Sequence, residues 1–408
     1  MSAASSDGAV VEASKESFVA GIVSAAADND PTTVATLAIV AASLLYGLEW
    51  LLLLIVPMFT IVQAIGTQVA AVTREGMQAA IRRRYGTLVA WISLVGIVAV
   101  NIVTYAADLD AGAAALSLLT HLDFRWFVVP VSVAIVLLLM FGTMDRIRRV
   151  LIVLPLAFVA YIAAAFLAHP HWHDVLLGFI PHVSGNATLV SSIVALIGTS
   201  LTVYSYYWQT VEVAADAPPK RAILAVQLSA LPGPLITGVV MWFILIGTAA
   251  TLGVTHHQVE TAQDAAQALA PVAGKWASVI FGVGLFGSAL LALPVIAAGS
   301  ANVVSATFRW GGSLDKKPLQ ARRFYATLFI AVATGTAITF LNVRPMSLLF
   351  YASIAAGFAT PITLALLMLL SRDAATMGKK PVNITLTVAG WCVTALVTAA
   401  ALAFIRWH

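Results

Sequence analysis

Acidic and hydroxyl side chains interrupt an apolar stretch near the start of the chain, between residues 18 and 46. The interruption contains two carboxylates, an amide, a proline and two hydroxyls: Asp28, Asn29, Asp30, Pro31, Thr32 and Thr33. Pro31 lacks a backbone N–H and biases Asp30 away from helical geometry, which predicts a helix broken near its middle. Carboxylates at membrane depth mark ion or proton sites, and broken helices supply free backbone groups beside them. A second interpretation stays open, in which Asp30 caps a helix that simply begins at Pro31.

A second polar stretch lies in the apolar segment 187–213. Hydroxyl and amide groups crowd its middle, namely Thr199, Ser200, Thr202, Tyr204, Ser205, Tyr206, Tyr207 and Gln209. An ordinary helix whose Ser and Thr side chains bond to their own carbonyls is one interpretation, with the tyrosines in an interfacial belt. Tyrosines in the middle of a span fit that belt badly. Polar, interrupted segments at corresponding positions of two halves are instead the best sequence indication of a transporter binding site.

The composition requires a membrane to position these residues. The chain has 408 residues, of which 61% are hydrophobic and 10% charged, whereas soluble domains carry about 25% charged residues. Cys392 is the only cysteine, which excludes a disulfide framework and a cysteine-based metal site. Spans need about 20 apolar residues. The sequence predicts eleven, at about 18–46, 50–72, 88–119, 126–144, 148–168, 187–213, 223–252, 276–308, 324–341, 346–371 and 384–405.

Basic residues fix the predicted orientation. Most of the 22 Lys and Arg residues fall in alternate loops, among them the run Arg82, Arg83 and Arg84. The predicted location is the cell (inner) membrane. By the positive-inside rule, the amino terminus is cytoplasmic and the carboxyl terminus is outside the cell. The same rule explains the basic residues without nucleic-acid binding. Residues 1–17 are predicted to be a disordered cytoplasmic tail without a signal peptide, and no obligatory protein partner is indicated.

Histidines concentrate in the predicted outer loops, first at His169, His171, His173 and His182 and then at His256 and His257. Imidazole is a common zinc ligand, but the spacing suits no standard helical ligand pair. Solvated loop histidines are the favoured interpretation. The segment 261–271 is predicted to form a short outer helix.

Several motifs together carry a family resemblance. They are DNDPTT in the first span, GTQVAAVTREGM after the second, NIVTYAADLDAGAAAL in the third, GTSLTVYSYYWQTVEVA in the sixth, and TAQDAAQALAPVAG and LFGSALLALPVIAAGSA around the eighth. In order and spacing the chain resembles the NRAMP family of divalent metal transporters, and is similar to its divergent bacterial branch of NRAMP-related magnesium transporters. The resemblance implies an all-α LeuT-like fold with spans one and six broken. It also implies one transporter domain over 18–408, with inverted repeats at 18–168 and 187–371 and an extra helix at 384–405.

The resemblance assigns a metal site between the two breaks. Metal-selective members carry Asp-Pro-Gly-Asn in the first span, which corresponds here to Asp30 through Thr33, and Met-Pro-His in the sixth, which corresponds to Thr202 through Tyr204. The expected metal ligands are Asp30, Thr33, Thr199 and Thr202. Surrounding or pathway roles are expected for Asp28, Asn29, Asp108, Tyr204, Ser205 and Gln209.

These departures from the family pattern predict a hard-ion site. A thioether favours transition metals, whereas carboxylate, carbonyl, hydroxyl and water oxygens suit magnesium. The expected substrate is magnesium, with manganese second and no resident cofactor. Asn101 replaces a family acid and Tyr204 replaces the histidine, so proton coupling is expected to be weak or absent. The alternatives are a proton-coupled manganese or iron symporter and a sodium-coupled organic solute carrier. An enzyme is disfavoured because no nucleophile motif accompanies Asp28 and Asp30.

Overall fold

The computed structural model describes residues 29–141, 155–182, 186–216, 232–255, 258–314, 316–341 and 343–407. Within these ranges every regular element is helical. The main helices are α1 (Pro31–Leu44), α2 (Glu49–Thr73), α3 (Met77–Thr120), α4 (Arg125–Phe141), α5 (Pro155–Leu167), α6 (Trp172–Leu177), α7 (Ala187–Ser200), α8 (Val203–Asp216), α9 (Pro232–Thr248), α10 (Ala262–Ala266), α11 (Ala270–Ala273), α12 (Ala277–Phe308), α13 (Arg322–Ile338), α14 (Pro345–Arg372), α15 (Ala374–Met377) and α16 (Ile384–Trp407).

The predicted all-α membrane architecture is confirmed. Eight helical segments in the described residues are long and apolar enough to cross a membrane, with α7 and α8 counted as one segment. Three shorter apolar helices, α1, α4 and α5, lie at the remaining predicted spans. The described helices therefore match the eleven predicted spans in order.

The connection between α1 and α2 is a tight turn. Because 39 uninterrupted residues, 34–72, would make a straight helix of about 58 Å, the sequence predicts a turn near residues 47–49. The structure confirms this turn: α1 ends at Leu44, Leu45 adopts a positive φ of 53°, and α2 begins at Glu49.

Helix α3 is divided by Gly86. A straight helix of 44 residues would be about 66 Å long, twice the thickness of a bilayer core. Gly86 has φ 83° and ψ −172°, a conformation that side chains with a Cβ rarely adopt. Residues 77–85 therefore form a separate segment that carries Arg82, Arg83 and Arg84.

Small residues allow the long helices to approach closely. The most extensive contact in the described structure joins α3 and α12. A Cβ on Gly112 would lie 3.0 Å from that of Ala289, and one on Gly282 would lie 3.1 Å from the Ala115 carbonyl oxygen. Such packing replaces the hydrophobic driving force that is missing between helices in lipid.

Helices α7 and α14 cross backbone to backbone. A Cβ on Gly198 would lie 2.0 Å from the Ser353 carbonyl oxygen, and one on Gly357 would lie 2.8 Å from the Val194 carbonyl oxygen. No side chain fits at either position without separating the helices. This crossing holds the end of α7 in a fixed position.

The predicted short helix at 261–271 is confirmed as α10, a 3₁₀ turn and α11, while its place on the outer side stays a prediction. Thr261 and Asp264 form a reciprocal capping box at its start. Other predictions fall outside the described residues: the tail 1–17, the first part of the broken span at 18–28 with Asp28, and the starts of the spans at 148 and 223.

Candidate functional site

Asp30 begins helix α1. Its side-chain Oδ1 accepts the Thr33 N–H at 2.7 Å, and Pro31 occupies the first helical position. This is the capping geometry that the sequence left open, and it holds a fully buried carboxylate at a helix N-terminus. The cap uses only Oδ1 of this carboxylate. The cap and a cation site are therefore compatible.

Asp108 of α3 reaches the same terminus from the side. Its Oδ1 accepts both the Thr32 N–H at 3.1 Å and the Thr32 hydroxyl at 2.5 Å. Its Oδ2 is buried and has no hydrogen-bond partner among the described residues. Two carboxylates thus meet at the first turn of α1, and one of their oxygens is available to a ligand.

The break in the sixth span faces this terminus. Helix α7 ends at Ser200 and α8 begins at Val203, so the predicted interruption is confirmed. The Thr33 hydroxyl lies 2.8 Å from the Thr199 hydroxyl and donates to the Thr199 carbonyl oxygen at 3.4 Å. Thr202 is buried inside the break, where its carbonyl accepts the Ser205 N–H at 3.2 Å. The two breaks are therefore in direct contact.

Tyr204 closes the gap between the breaks. Its phenol donates to Asp30 Oδ2 at 2.7 Å, and the residue is 3% exposed. The second oxygen of Asp30 is thereby occupied by a neutral donor. A cation that binds Asp30 has to share that oxygen with Tyr204 or displace it.

Helix α14 supplies hydroxyl groups that the sequence reasoning missed. The Thr360 hydroxyl lies 3.2 Å from the Leu201 carbonyl oxygen and 2.8 Å from the Ala356 carbonyl oxygen of its own helix, so the two acceptors share its proton. Ser353 lies 2.7 Å from the Thr36 hydroxyl. Thr363 also bonds to the Tyr206 phenol. These three hydroxyls recur along one helix at 353, 360 and 363, and that helical spacing is the signal that could have identified them.

The remaining predicted residues that the structure describes fall into two groups, one beside the breaks and one further away. Asn29 and Ser205 are buried beside the breaks. Gln209 lies further along α8 and donates to the Thr67 hydroxyl at 3.1 Å. Asn101 donates to Ser300 at 3.1 Å between α3 and α12.

Two buried carboxylates were overlooked as functional candidates. Glu49 and Asp110 are both fully buried, and none of their carboxylate oxygens has a hydrogen-bond partner in the described residues. Asp110 follows Asp108 by two positions in the quoted third-span motif. Glu49 was used only to place the turn, although a single acid at the start of an apolar span is a signal in itself.

The outer histidines do not assemble a metal centre in the part of the chain that the structure describes. No group of three or more His, Cys, Asp or Glu residues able to hold a metal occurs there. His169, His171 and His173 are described; His256 and His257 lie outside the described residues.

Comparison with solved structures identifies the fold. A manganese transporter from Eremococcus coleocola superposes with a TM-score of 0.74 at 18% identity, covering 95% of this chain and 85% of that chain. A transporter of the nucleobase-cation-symport-1 family superposes with a TM-score of 0.63 at 14% identity, covering 96% and 91%. The expected LeuT-like fold is confirmed.

Sequence comparison identifies the family. The chain is 25% identical over 392 residues to a divalent metal cation transporter, MntH, of Deinococcus radiodurans, covering 93% of this chain and 86% of that protein. The family model described as natural resistance-associated macrophage protein-like matches residues 21–406. The chain therefore belongs to the Nramp family.

Proposed function

We propose that this chain carries divalent metal ions across the cell membrane by alternating access, with magnesium as the preferred ion and manganese second. The observation that carries the proposal is the donor set between the two breaks. Asp30, Thr33 and Thr199 are joined by hydrogen bonds beside Asp108, Thr202 is buried in the break that follows Thr199, and each offers oxygen. The metal transporters to which the chain is similar support metal ions as the substrate class.

The preference for hard ions follows from the ligands. Magnesium binds one or two carboxylates and keeps several waters, and hydroxyl groups suit such a partly hydrated ion. Thr202 stands where the family resemblance places a thioether, which would favour softer metals. The nearby thioether of Met241 accepts a hydrogen bond from Ser200 at 3.8 Å. Substitution of Thr202 therefore tests the selectivity directly.

Weak or absent proton coupling follows from two replacements. Asn101 is an amide that bonds to Ser300, so it holds no exchangeable acid proton. Tyr204 donates its phenolic proton to Asp30, and a phenol exchanges protons near neutrality far less readily than the imidazole that it replaces. Two charges that cross about 100 mV correspond to about 4.6 kcal/mol, which drives steep uptake without protons.

The orientation and internal symmetry belong to the same proposal. The amino terminus is cytoplasmic, the carboxyl terminus lies outside, and repeats 18–168 and 187–371 run in opposite directions. Breaks near Asp30 and Leu201, at corresponding positions of those repeats, support this arrangement.

Uptake into vesicles that contain the purified protein tests the proposal. Magnesium and manganese entry are followed with internal pH for the native chain and Thr202→Met. We expect magnesium entry without acidification in the native chain. In Thr202→Met, the rate of cadmium or iron entry relative to magnesium entry should rise about tenfold because a soft ligand has been added.

Thr394→Val is the matched control for that experiment, since the Thr394 hydroxyl donates to Gly390 in its own helix. Native uptake of iron or cadmium that equals magnesium uptake would contradict the preference. Manganese entry with stoichiometric acidification would instead favour a proton-coupled manganese symporter.

A further inference from the structure

Glu49 is a buried acid at the end of the bundle opposite Arg82–Arg84. It is the first residue of α2 and is 0% exposed. Neither carboxylate oxygen has a hydrogen-bond partner in the described residues; the indole of Trp242 is the neighbouring donor, at a geometry too poor for a hydrogen bond. Helix α1 separates Glu49 from Asp30 and the proposed metal site. Glu49 therefore needs an explanation of its own.

A short segment lies directly over this carboxyl group. We call residues 172–178, which include α6, the cover segment. The Trp50 N–H donates to the Gly178 carbonyl oxygen at 3.1 Å. A Cβ on Gly178 would lie 2.9 Å from Glu49 Cγ and 2.2 Å from the Tyr46 carbonyl oxygen. The cover segment is thus packed against Glu49 as closely as a residue without a side chain allows.

The surroundings of Glu49 contain no compensating cation among the described residues. Helices α1 and α9 have no charged residue, and Glu49 is the only charged residue of α2. The cover segment carries two titratable groups, Asp174 and His173, which lie 3.5 Å apart with their side chains exposed to solvent. The turn contributes one more, Tyr46. The ion pairs of the described residues do not include Glu49.

The groups around Glu49 favour a proton over a metal ion as its ligand. An isolated carboxylate in apolar surroundings is far less favourable than its neutral acid. A metal ion would need several oxygen ligands, whereas the indoles of Trp50 and Trp242 are donors only. We propose that Glu49 is a proton-binding site whose acid form holds the cover segment closed and whose ionised form releases it.

This site goes beyond the proposed transport function, since it controls the rate without carrying protons across. The proton enters and leaves at one end of the bundle. Raising the pH on that side ionises Glu49, which then needs water, and water reaches it only when the cover segment moves. Metal uptake is therefore expected to depend on pH at one side while the internal pH stays constant.

Uptake at varied pH tests the proposal. Magnesium and manganese entry into vesicles are measured with the pH changed separately on each side, for the native chain, Glu49→Gln and the control Glu260→Gln, which removes an exposed acid that pairs with Arg344. Above the titration of Glu49 we expect the native rate to fall about tenfold per pH unit. Glu49→Gln should keep the low-pH rate at high pH, and Glu260→Gln should follow the native profile.

Three results of that experiment would overturn the proposal. Glu49→Gln could retain the native pH profile, it could be folded but inactive at every pH, or it could abolish a proton current that the native chain carries. The second result would mean that the negative charge is needed, and the third that Glu49 is part of a transmembrane proton route.

A distance measurement makes the test independent of transport. Spin labels are placed at Leu176 and Leu341, both exposed, in a Cys392→Ser background. The distance distribution should shift between low and high pH in this background and stay constant with Glu49→Gln. Gly178→Ala should give the shifted distribution at every pH, whereas Gly96→Ala, with open space around its Cβ, should not.

The two measurements separate two failures. A pH-dependent distance in a chain that takes up no metal would contradict the transport proposal and support the role of Glu49. A distance that does not change with pH, in a chain that transports metal, would refute the role of Glu49 alone.

Discussion

The two helix breaks that meet at the proposed site differ in how they are stabilised. The break before α1 carries negative charge, because Asp30 and Asp108 both accept hydrogen bonds from the first turn of that helix. The break between α7 and α8 carries no charge in its core, and a hydroxyl from α14 satisfies its Leu201 carbonyl. Under the proposed function, the first break attracts the cation, whereas the second supplies shape and neutral oxygen ligands.

Asp30→Asn should give the largest effect on this comparison. Asparagine retains the capping acceptor for the Thr33 N–H, so the change removes charge and leaves the local fold. Loss of groups that merely support metal ligands lowers affinity by 10- to 100-fold, so loss of the ligand charge should lower it by at least about 100-fold. Calorimetric titration with magnesium and with manganese measures the affinity, and thermal unfolding checks the fold. Unchanged affinity would place the cation elsewhere.

Asp108→Asn should give the next largest effect. The amide oxygen can still accept from Thr32, so the first turn of α1 keeps its hydrogen bonds. Removing the second charge should weaken magnesium binding by about 30-fold, within the range for groups that support a ligand. The same titration measures it. An affinity within twofold of the native value would mean that Asp108 only caps α1.

Tyr204→Phe should act in the opposite direction. The phenol bonds to a carboxylate oxygen, and hydrogen bonds to charged groups contribute about 1.5–3 kcal/mol. Because a cation competes with that bond, its removal should tighten metal binding by about tenfold. Tyr206→Phe is the control, since that phenol bonds to Thr363. Weaker binding in Tyr204→Phe would indicate that the phenol is itself a ligand.

Thr360→Val tests the uncharged break. The substitution removes the Thr360 hydroxyl, and with it the hydrogen bond to the Leu201 carbonyl oxygen, and keeps the side-chain shape. A hydrogen bond between membrane helices contributes about 0.6 kcal/mol on average, which corresponds to about threefold in transport rate or affinity. Initial rates of magnesium uptake measure it. A loss as large as that of Asp30→Asn would contradict the division of roles between the breaks.

Asp373 lies outside both breaks, so Asp373→Asn should have the smallest effect on stability and none on metal affinity. Partial burial alone would raise the pKa of Asp373, but hydrogen bonds from Thr376 and Arg84 hold it below its ordinary value. The ionised group therefore adds stability above the unfolded-state pKa of about 4, and this contribution is lost as the pH falls through the folded-state value. Melting temperatures should differ slightly at pH 7 and converge in acid, with metal affinity unchanged.

The sequence predicted features that have a local cause. Pro31 and the capping preference of Asp30 determine where α1 begins, and span length alone required the turn before Glu49. The hydroxyl-rich stretch predicted the break at Leu201 because such a stretch is a poor membrane helix. In each case the responsible residues are neighbours in the chain.

The sequence could not predict which helices face each other. Asp108 and Thr32 are 76 positions apart, and Thr360 and Leu201 are 159 apart. Helical spacing tells which residues share a face, but it does not tell which partner that face meets. The burial of Glu49 under Gly178 depends on the path of an outer loop, and no periodic pattern indicates that path. The inverted repeats remain a prediction.

The contact between Gly198 and Gly357 has a mechanical consequence. Any separation of α7 from α14 would open a gap at this crossing, so the contact favours movement of the two helices as a pair. Ser353 and Thr360 extend the pair's contacts to Thr36 and to Leu201. A covalent crosslink between α7 and α14 is consequently expected to leave metal uptake intact.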